Sequence, residues 1–220
     1  LIPPFHIDAL PLDETTLPEI IKAHHPDYRA AHFGKWHLGE DDPSLHGFDA
    51  SDGCTGNGAG GRPQDLPDDP KKAFSITQRG NDWMKEQVEE GRPFYLQISH
   101  YATHLKYQAR PQTIEKFENL PPGERHTSVD YASMLHDMDA AIGQTLDKVQ
   151  ELGIGDNTYI LFNTDNGTFP TTDTANVNGP VRGSKASVWE GGIRVPFLVA
   201  GPGIAPDSVC RRTVIGYDIF

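Results

Sequence analysis

The sequence predicts an α/β fold in which helices lie on both faces of a mostly parallel or mixed β-sheet. Two observations support this prediction: segments with helical spacing alternate with short apolar runs, and those runs have the length and continuity of strands buried in a sheet. Sheets of this kind bind ligands beyond the carboxyl ends of their strands. The residues that follow each predicted strand are therefore the first candidates for function.

The N-terminal part predicts one helix, one strand and a long loop. After an irregular lead-in over residues 1–14, the capping-box spacing of Thr16 and Glu19 predicts a short helix that ends near His25. Residues 28–33 are a strand candidate. Residues 40–70 are rich in Gly, Asp and Pro with little periodicity, which is typical of a long loop that is either functional or mobile.

The remaining segments alternate between helix and strand. Helical spacing predicts helices over 75–90 and 128–152, and apolar runs predict strands over 93–99, 159–162 and 195–200. The last two strands are expected to be buried on both faces. The second helix carries its apolar residues at steps of three or four, which predicts a single buried face consisting of Tyr131, Leu135, Met138, Ile142, Leu146 and Val149.

Composition limits the classes of function. The chain has 220 residues, enough for one domain with a substantial core, and its 19 basic and 31 acidic residues give a formal net charge of -12. No basic run occurs, so nucleic acid is not an expected partner. An acidic protein that binds an anion needs a local group of cations or a metal. No apolar stretch is long enough to span a membrane, and Cys54 and Cys210 have no metal-binding spacing.

Side chains that could bind an anion, bind a metal or transfer a proton follow three of the predicted strands, and one more precedes the last strand. They are Lys35, His37, His104, Asp165, Asn166 and Lys185. If these residues share one edge of the sheet, they suit the binding of a tetrahedral oxyanion beside a hard cation. The oxygens of Asp165 and Asn166 favour calcium or magnesium over zinc as that cation. Each has a plainer interpretation alone: Asp-Asn-Gly is a common turn, and a lone histidine or lysine is usually structural or solvated.

Five segments occur in a characteristic order. They are Gly-Lys-Trp-His-Leu-Gly at 34–39, His-Gly-Phe-Asp at 46–49, Thr-Asp-Asn-Gly at 164–167, Gly-Pro-Val-Arg-Gly-Ser-Lys at 179–185 and Glu-Gly-Gly-Ile-Arg-Val-Pro at 190–196. In this order they resemble the type I, arylsulfatase-like sulfatases of the alkaline phosphatase superfamily, over most of the chain. The resemblance implies a sulfuric ester hydrolase with an alkaline phosphatase-like fold.

The resemblance also implies residue roles. Lys35 and Lys185 are expected to contact the sulfate oxygens, where fixed cations stabilise developing charge. His104 is the candidate general acid for the leaving alcohol, and His37 is expected to assist turnover of a covalent sulfo-enzyme intermediate. Asn57 is a weaker candidate for lining the substrate site beside the nucleophile.

Calcium, rather than magnesium, is the metal that the resemblance implies. Asp165 and Asn166 are expected to supply part of its ligands, and the metal would act as a Lewis acid. Arg182, Glu190 and Arg194 lie inside the same motifs, where ion pairs that shape the loop are the expected role.

The family's nucleophile signature, Cys/Ser-x-Pro-x-Arg with its first residue converted to formylglycine, is absent from this sequence, as is an earlier Asp-Asp pair of the metal site. In the family both precede the position of Leu1. We therefore expect residues 1–220 to be part of a catalytic domain cut at both ends, which alone binds calcium poorly and is inactive.

Two alternatives stay open at the level of sequence. The same oxyanion cluster would suit a phosphonate or phosphate monoester hydrolase of the superfamily, and a fold without a nucleophile would suit a non-catalytic module that binds sulfated glycans. The expected substrate is a sulfated carbohydrate or aryl sulfate. A periplasmic or secreted location is an expectation from the family.

Overall fold

The computed structural model describes residues 9–60, 66–124, 126–169, 171 and 178–220. The chain divides into two compact units, the first comprising 1–121 and 129–148 and the second 122–128 and 149–220. Most of the predicted lead-in and residues 61–65 of the predicted loop lie outside the described residues. Within the described part, no helix is both long and apolar enough to cross a membrane.

Five α-helices and five strands are described. The helices are α1 Leu17–His24, α2 Ala73–Glu89, α3 Pro111–Glu118, α4 Val129–Glu151 and α5 Glu190–Ile193. The strands are β1 Arg29–Gly34, β2 Ala50–Ser51, β3 Phe94–Ser99, β4 Ile160–Asn163 and β5 Phe197–Ala200. The predicted α/β class is confirmed. The capping box at the start of α1 is also confirmed, because the Glu19 carboxylate accepts a 2.7 Å hydrogen bond from the Thr16 N–H.

The sheet of the first unit has the order β2-β1-β3, and both neighbours run parallel to β1. Helix α2 packs against β1 and β3. Ile76, near the start of α2, lies beside Gly34 at the end of β1. Trp83, later in the helix, contacts Phe94 at the beginning of β3. The helix therefore runs antiparallel to these strands, and its N-terminus lies at the carboxyl edge of the sheet.

Strand β1 is buried on both faces, as a central parallel strand requires. On one side Ala31 and Phe33 join a core with Ile76, which is fully buried. On the other side, the rings of Trp36 and Phe48 meet edge to face at 5.9 Å. The buried Trp36 anchors the turn that follows β1.

The segment 40–70 is more ordered than its composition predicts. It contains β2, which pairs with Ala31 and His32 of β1, and 3-10 turns at Pro43–His46 and Asn57–Gly60. The predicted long loop therefore includes a short strand that was not predicted. A two-residue strand has no detectable hydrophobic period, and its pairing with β1 depends on contacts distant in sequence.

Helix α4 confirms the predicted boundaries but only part of the predicted buried face, of which Val149 is buried. Leu135 and Leu146 are each more than 40% exposed, whereas Met134, Asp137 and Ala141 are buried. The buried face is rotated by about one residue because Asp137 binds Arg110 and Thr113 at the start of α3. Helix α3, which was not predicted, supplies that partner.

In the second unit β4 pairs with β5 antiparallel rather than parallel. The predicted burial of both strands on two faces was also wrong, because Leu161 and Leu198 are 44% and 58% exposed. Parallel neighbours need a crossover, usually a long helix, whereas the described residues between these strands include only the four-residue α5. The described strands therefore form two sheets, so the condition that all the strand exits share one sheet edge is not met.

Candidate active site

The carboxyl edge of the first sheet brings the exits of its three strands together. The Lys35 N–H donates to the Ser99 carbonyl at 2.8 Å, which joins the exits of β1 and β3. The Gly34 N–H donates at 2.8 Å to the carboxylate of Asp52, the first residue after β2. Gly34 has a φ of +100°, and a Cβ there would collide with the Ser99 carbonyl oxygen. Only glycine allows this approach.

Thr55 holds the turn that carries Lys35 and His37. Its hydroxyl accepts a 2.8 Å hydrogen bond from the Trp36 N–H, and its carbonyl accepts one of 2.7 Å from the His37 N–H. His37 has a φ of 54°, a left-handed conformation that non-glycine residues seldom adopt outside constrained sites. The turn therefore presents its side chains in a fixed, unusual backbone geometry.

Asn57 lies two residues beyond Thr55, at the start of the 3-10 turn Asn57–Gly60, and its side chain is exposed. The intervening Gly56 is beside the His37 imidazole, since a Cβ added there would lie 3.7 Å from the ring. The structure thus places the Asn57 segment next to His37. Its assignment to the substrate site remains a prediction.

His104 lies on the loop that follows β3, at the same edge. Its Nδ1 is 3.0 Å from the Leu105 carbonyl oxygen, which can only accept, so Nδ1 carries a proton in this arrangement. Nε2 is the nitrogen left for a ligand. A half-exposed imidazole that donates through Nδ1 is equipped to give an Nε2 proton to a leaving oxygen when it is doubly protonated.

A cavity of about 320 Å³ lies beside this edge. Asp52, Lys72, Arg79 and Tyr101 contribute to its wall. Arg79 forms a bidentate ion pair with Asp52, with nitrogen–oxygen distances of 2.6 and 2.9 Å. This pair satisfies the Asp52 carboxylate, so it does not act as a free base.

In the second unit, Asp165 and Asn166 lie just past the end of β4, after Thr164, and are joined to the loop that carries Lys185. The Gly167 N–H donates to Gly192 at 3.0 Å, and the Lys185 N–H donates to Thr168 at 3.2 Å. Gly167 has no room for a side chain, because a Cβ would overlap the Gly191 carbonyl. The structure therefore brings these three predicted residues onto connected loops.

The ion-pair role predicted inside the last motif is confirmed for Glu190, the first residue of α5, and Arg194, which follows its last residue; the two form a 3.2 Å pair. Arg182 instead stacks on Trp189, with its guanidinium carbon 3.9 Å from the ring centroid. Both interactions shape the loop around Lys185 rather than supply reactive groups.

Asp165 and Asn166 offer oxygen donors, which hard cations prefer, but they would supply only part of the ligands of such a cation. Asp165 is exposed, and its Oδ1 accepts the Asn166 N–H at 2.9 Å, which leaves Oδ2 for a metal. Calcium takes about six to eight oxygens, so two residues fit only part of its shell. Across the described ranges, no three His, Cys, Asp or Glu side chains group closely enough to bind a metal alone.

Sequence reasoning missed two residues at the first edge. The sequence gives no sign of the role of Thr55, because a threonine in a glycine-rich segment is common. Lys71 could have been recognised. Two consecutive lysines at the start of a helix are unusual, since the helix dipole favours acidic residues there. Lys71 is only 6% exposed, and burial together with the charge of Lys35 lowers its pKa to about 8.

Known proteins resemble this chain over most of its length. A model of the Sulfatase family matches residues 2–216. Arylsulfatase J of Mus musculus is 29% identical over 242 aligned positions, which cover 97% of this chain and 39% of that protein. N-acetylgalactosamine-6-sulfatase of Canis lupus familiaris is 28% identical, with coverage of 91% and 42%. The chain thus spans about two fifths of the length of these relatives.

A solved structure supports the fold. The crystal structure of Ps i-CgsB in complex with k-i-k-neocarrahexaose matches with a TM-score of 0.71 at 23% identity, covering 89% of this chain and 49% of that one. At this identity the likeness establishes the fold alone. Because the family match spans nearly all of its residues, the chain belongs to the sulfatase family.

Proposed function

We propose that this chain is part of the catalytic domain of an enzyme that hydrolyses sulfate esters. The observation that carries the proposal is the carboxyl edge of the first sheet, where the Lys35–His37 turn is hydrogen-bonded to the end of β3 and His104 follows on the next loop. An ammonium group and two imidazoles at one edge suit the hydrolysis of a sulfate ester. The cation can hold the sulfate oxygens, and an imidazole can protonate the alcohol oxygen when the S–O bond breaks.

The roles follow from the chemistry of each group. Lys35 and Lys185 hold the sulfate oxygens and stabilise the charge that develops on them. His104 donates a proton through Nε2 to the leaving alcohol, and His37 assists breakdown of the covalent intermediate. The nucleophile is a formylglycine from a part of the protein outside these residues, since neither Cys54 nor Cys210 lies in the required signature.

Calcium completes the proposed centre. Asp165 and Asn166 provide two of its oxygen ligands, and the ion supplies Lewis-acid stabilisation of the sulfate when bound. The other ligands come from elsewhere in the protein.

A sulfated carbohydrate is the proposed substrate class. One relative is named for removing sulfate from N-acetylgalactosamine, and the matched crystal structure holds an oligosaccharide. The cavity of about 320 Å³ beside the carboxyl edge of the first sheet offers room for a sugar.

The test is hydrolysis by the protein expressed with its native flanking sequence and a formylglycine-generating enzyme. We expect release of sulfate from an aryl sulfate or a sulfated saccharide. Lys35→Ala and Lys185→Ala should each lower kcat/KM by about 100-fold or more, since each removes a fixed charge from the transition state. Lys85→Ala is the matched control, because Lys85 lies on the exposed side of α2 and forms an ion pair with Glu89.

Two results would contradict the proposal. If protein that carries the formylglycine hydrolyses no sulfate ester, it is a binding module rather than an enzyme. Protein with higher kcat/KM on phosphate or phosphonate monoesters than on every sulfate ester tested would belong to a different reaction class.

A further inference from the structure

The cavity at the carboxyl edge of the first sheet shares part of its wall with the turn that carries Lys35. Asp52 and Thr55 both line the cavity. The Asp52 carboxylate accepts a 2.8 Å hydrogen bond from the Gly34 N–H, and the Thr55 hydroxyl accepts one of 2.8 Å from the Trp36 N–H. These two bonds hold the backbone on either side of Lys35. The side chains that position this turn therefore also form the wall of the cavity.

The wall carries more positive than negative charge. Three of the described residues that line the cavity are charged, namely Asp52, Lys72 and Arg79. Arg79 is occupied by its bidentate ion pair with Asp52, at 2.6 and 2.9 Å. Among the described residues, no ion pair includes Lys72. In a chain with a formal net charge of -12, this cavity is a local site where an anion is favoured.

Lys72 occupies a position that local preferences disfavour for a lysine. It directly precedes Ala73, the first residue of α2, and its backbone is left-handed, with a φ of 53°. The helix dipole also disfavours a cation there. The Asp69 carboxylate caps the helix instead, since its two oxygens accept the Phe74 and Ser75 N–H groups at 2.8 and 3.0 Å. Residues held in such conformations are concentrated at ligand-binding sites, which is consistent with a ligand contact for Lys72.

The cavity suits a single sugar residue. Its volume of about 320 Å³ lies at the lower end of the range for small-molecule sites, about 300 to 1,000 Å³. Leu66 and Tyr101 contribute apolar atoms to the wall, and Ser75 contributes a hydroxyl group. Ligand sites commonly combine an apolar wall with a few polar groups that fix orientation.

We propose that this cavity is a second anion subsite for the substrate, in which the Lys72 ammonium group binds a carboxylate or a second sulfate of the saccharide. This inference rests on the proposed function, because it names a specificity-determining residue for the same substrate. A carboxylate and a sulfate share the relevant chemistry, since both accept charge-assisted hydrogen bonds from an ammonium group. Lys72 thus selects the substrate, whereas Lys35 holds the sulfate that is removed.

The first test measures substrate selection by the active protein with its native flanking sequence. It compares an aryl sulfate, whose only charge is the reacting sulfate, with a disulfated disaccharide. Lys72→Met should lower the ratio of kcat/KM for the disaccharide to kcat/KM for the aryl sulfate by about 10- to 100-fold, mainly through KM, because one charged hydrogen bond is lost. A disaccharide with one sulfate and one uronic acid carboxylate, measured in parallel, identifies which anion the subsite binds.

Two further variants separate anion binding from a structural role. Lys72→Arg keeps the positive charge and should preserve the substrate ratio better than Lys72→Met. Lys85→Met removes an exposed lysine of the same helix, which forms an ion pair with Glu89, and should leave the ratio unchanged. An equal decrease on all three substrates, together with a lower thermal midpoint, would assign Lys72 to the stability of the fold and overturn the inference.

Failure of this inference is distinguishable from failure of the proposed function. Active wild-type protein with the same substrate ratios as Lys72→Met, for both disaccharides, would overturn the inference alone. Absence of sulfate ester hydrolysis by wild type would contradict the proposed function. Calorimetry would then decide the inference, since weaker binding of the disulfated disaccharide by Lys72→Met than by wild type supports the subsite, and equal binding excludes it.

Discussion

At the scale of single residues, burial decides which ionisable groups of this chain change charge near neutral pH. His32 is 1% exposed in the centre of β1, between Trp36 and Phe48, and its Nε2 is 3.1 Å from the Ser99 hydroxyl. Burial lowers its pKa from 6.5 to about 4. The neutral imidazole is thus a structural part of the sheet that carries Lys35, rather than a catalytic group.

Stability should fall as the pH decreases from about 6.5 to about 4. In this window the unfolded chain binds a proton at His32 that the folded protein does not, so the free energy of unfolding decreases, by about 3 kcal/mol for a shift of this size. His32→Gln should reduce the slope, measured by urea denaturation at several pH values. His100, whose pKa burial also lowers to about 4, should account for remaining dependence.

The exposed His24 provides the control, since His24→Gln should leave the slope unchanged. Equal slopes for wild type and His32→Gln would show that this imidazole does not control acid stability.

At the scale of elements, one carboxylate connects α3 to α4. Asp137 is 3% exposed and accepts hydrogen bonds from the Arg110 backbone and guanidinium and from the Thr113 hydroxyl, at 2.8 to 3.0 Å. Arg110 also lies over the Phe74 ring at the start of α2. Asp137 thus links the loop after β3, which carries His104, to the long helix.

Asp137→Ala should lower the free energy of unfolding by about 3 kcal/mol, because it leaves Arg110 and Thr113 without their buried acceptor. Chemical denaturation measures this change. Asp139→Ala is the matched control on the exposed side of the same helix and should cost less than about 0.5 kcal/mol. Similar losses in both variants would indicate that the buried contact contributes nothing specific.

At the scale of the whole molecule, the calcium site that we propose would need ligands from distant parts of the protein. Asp165 and Asn166 offer two oxygen ligands, against the six to eight or so that calcium takes. Chelation of calcium from the active protein should therefore abolish sulfate ester hydrolysis and lower the thermal midpoint, because a ligand that binds only the folded state stabilises it.

Asp165→Ala should raise the calcium concentration needed for half-maximal activity by at least about tenfold, measured by titration after chelation, because it removes a charged ligand. Asp156→Ala, which changes an exposed carboxylate of the same unit, should leave the titration unchanged. Full activity of wild-type protein without any divalent metal would exclude the calcium role.

The sequence by itself determined the features that depend on neighbouring residues. The capping box predicted the start of α1, Gly91 predicted the end of α2, and the pattern of residues 28–33 predicted a strand. It also placed Lys35, His37 and His104 after β1 and β3, and its ordered motifs predicted the sulfatase family. These signals are local because capping, turn formation and hydrophobic period each involve only a few consecutive residues.

Tertiary structure decided what depends on residues distant along the chain. It paired β4 with β5 in antiparallel register, added β2 to the first sheet, and rotated the buried face of α4 toward Arg110. It also buried Lys71 beside Lys35, where the sequence showed only a basic pair. Strand pairing and burial are set by non-local packing, and the electrostatic environment of a lysine exists only after that packing has formed.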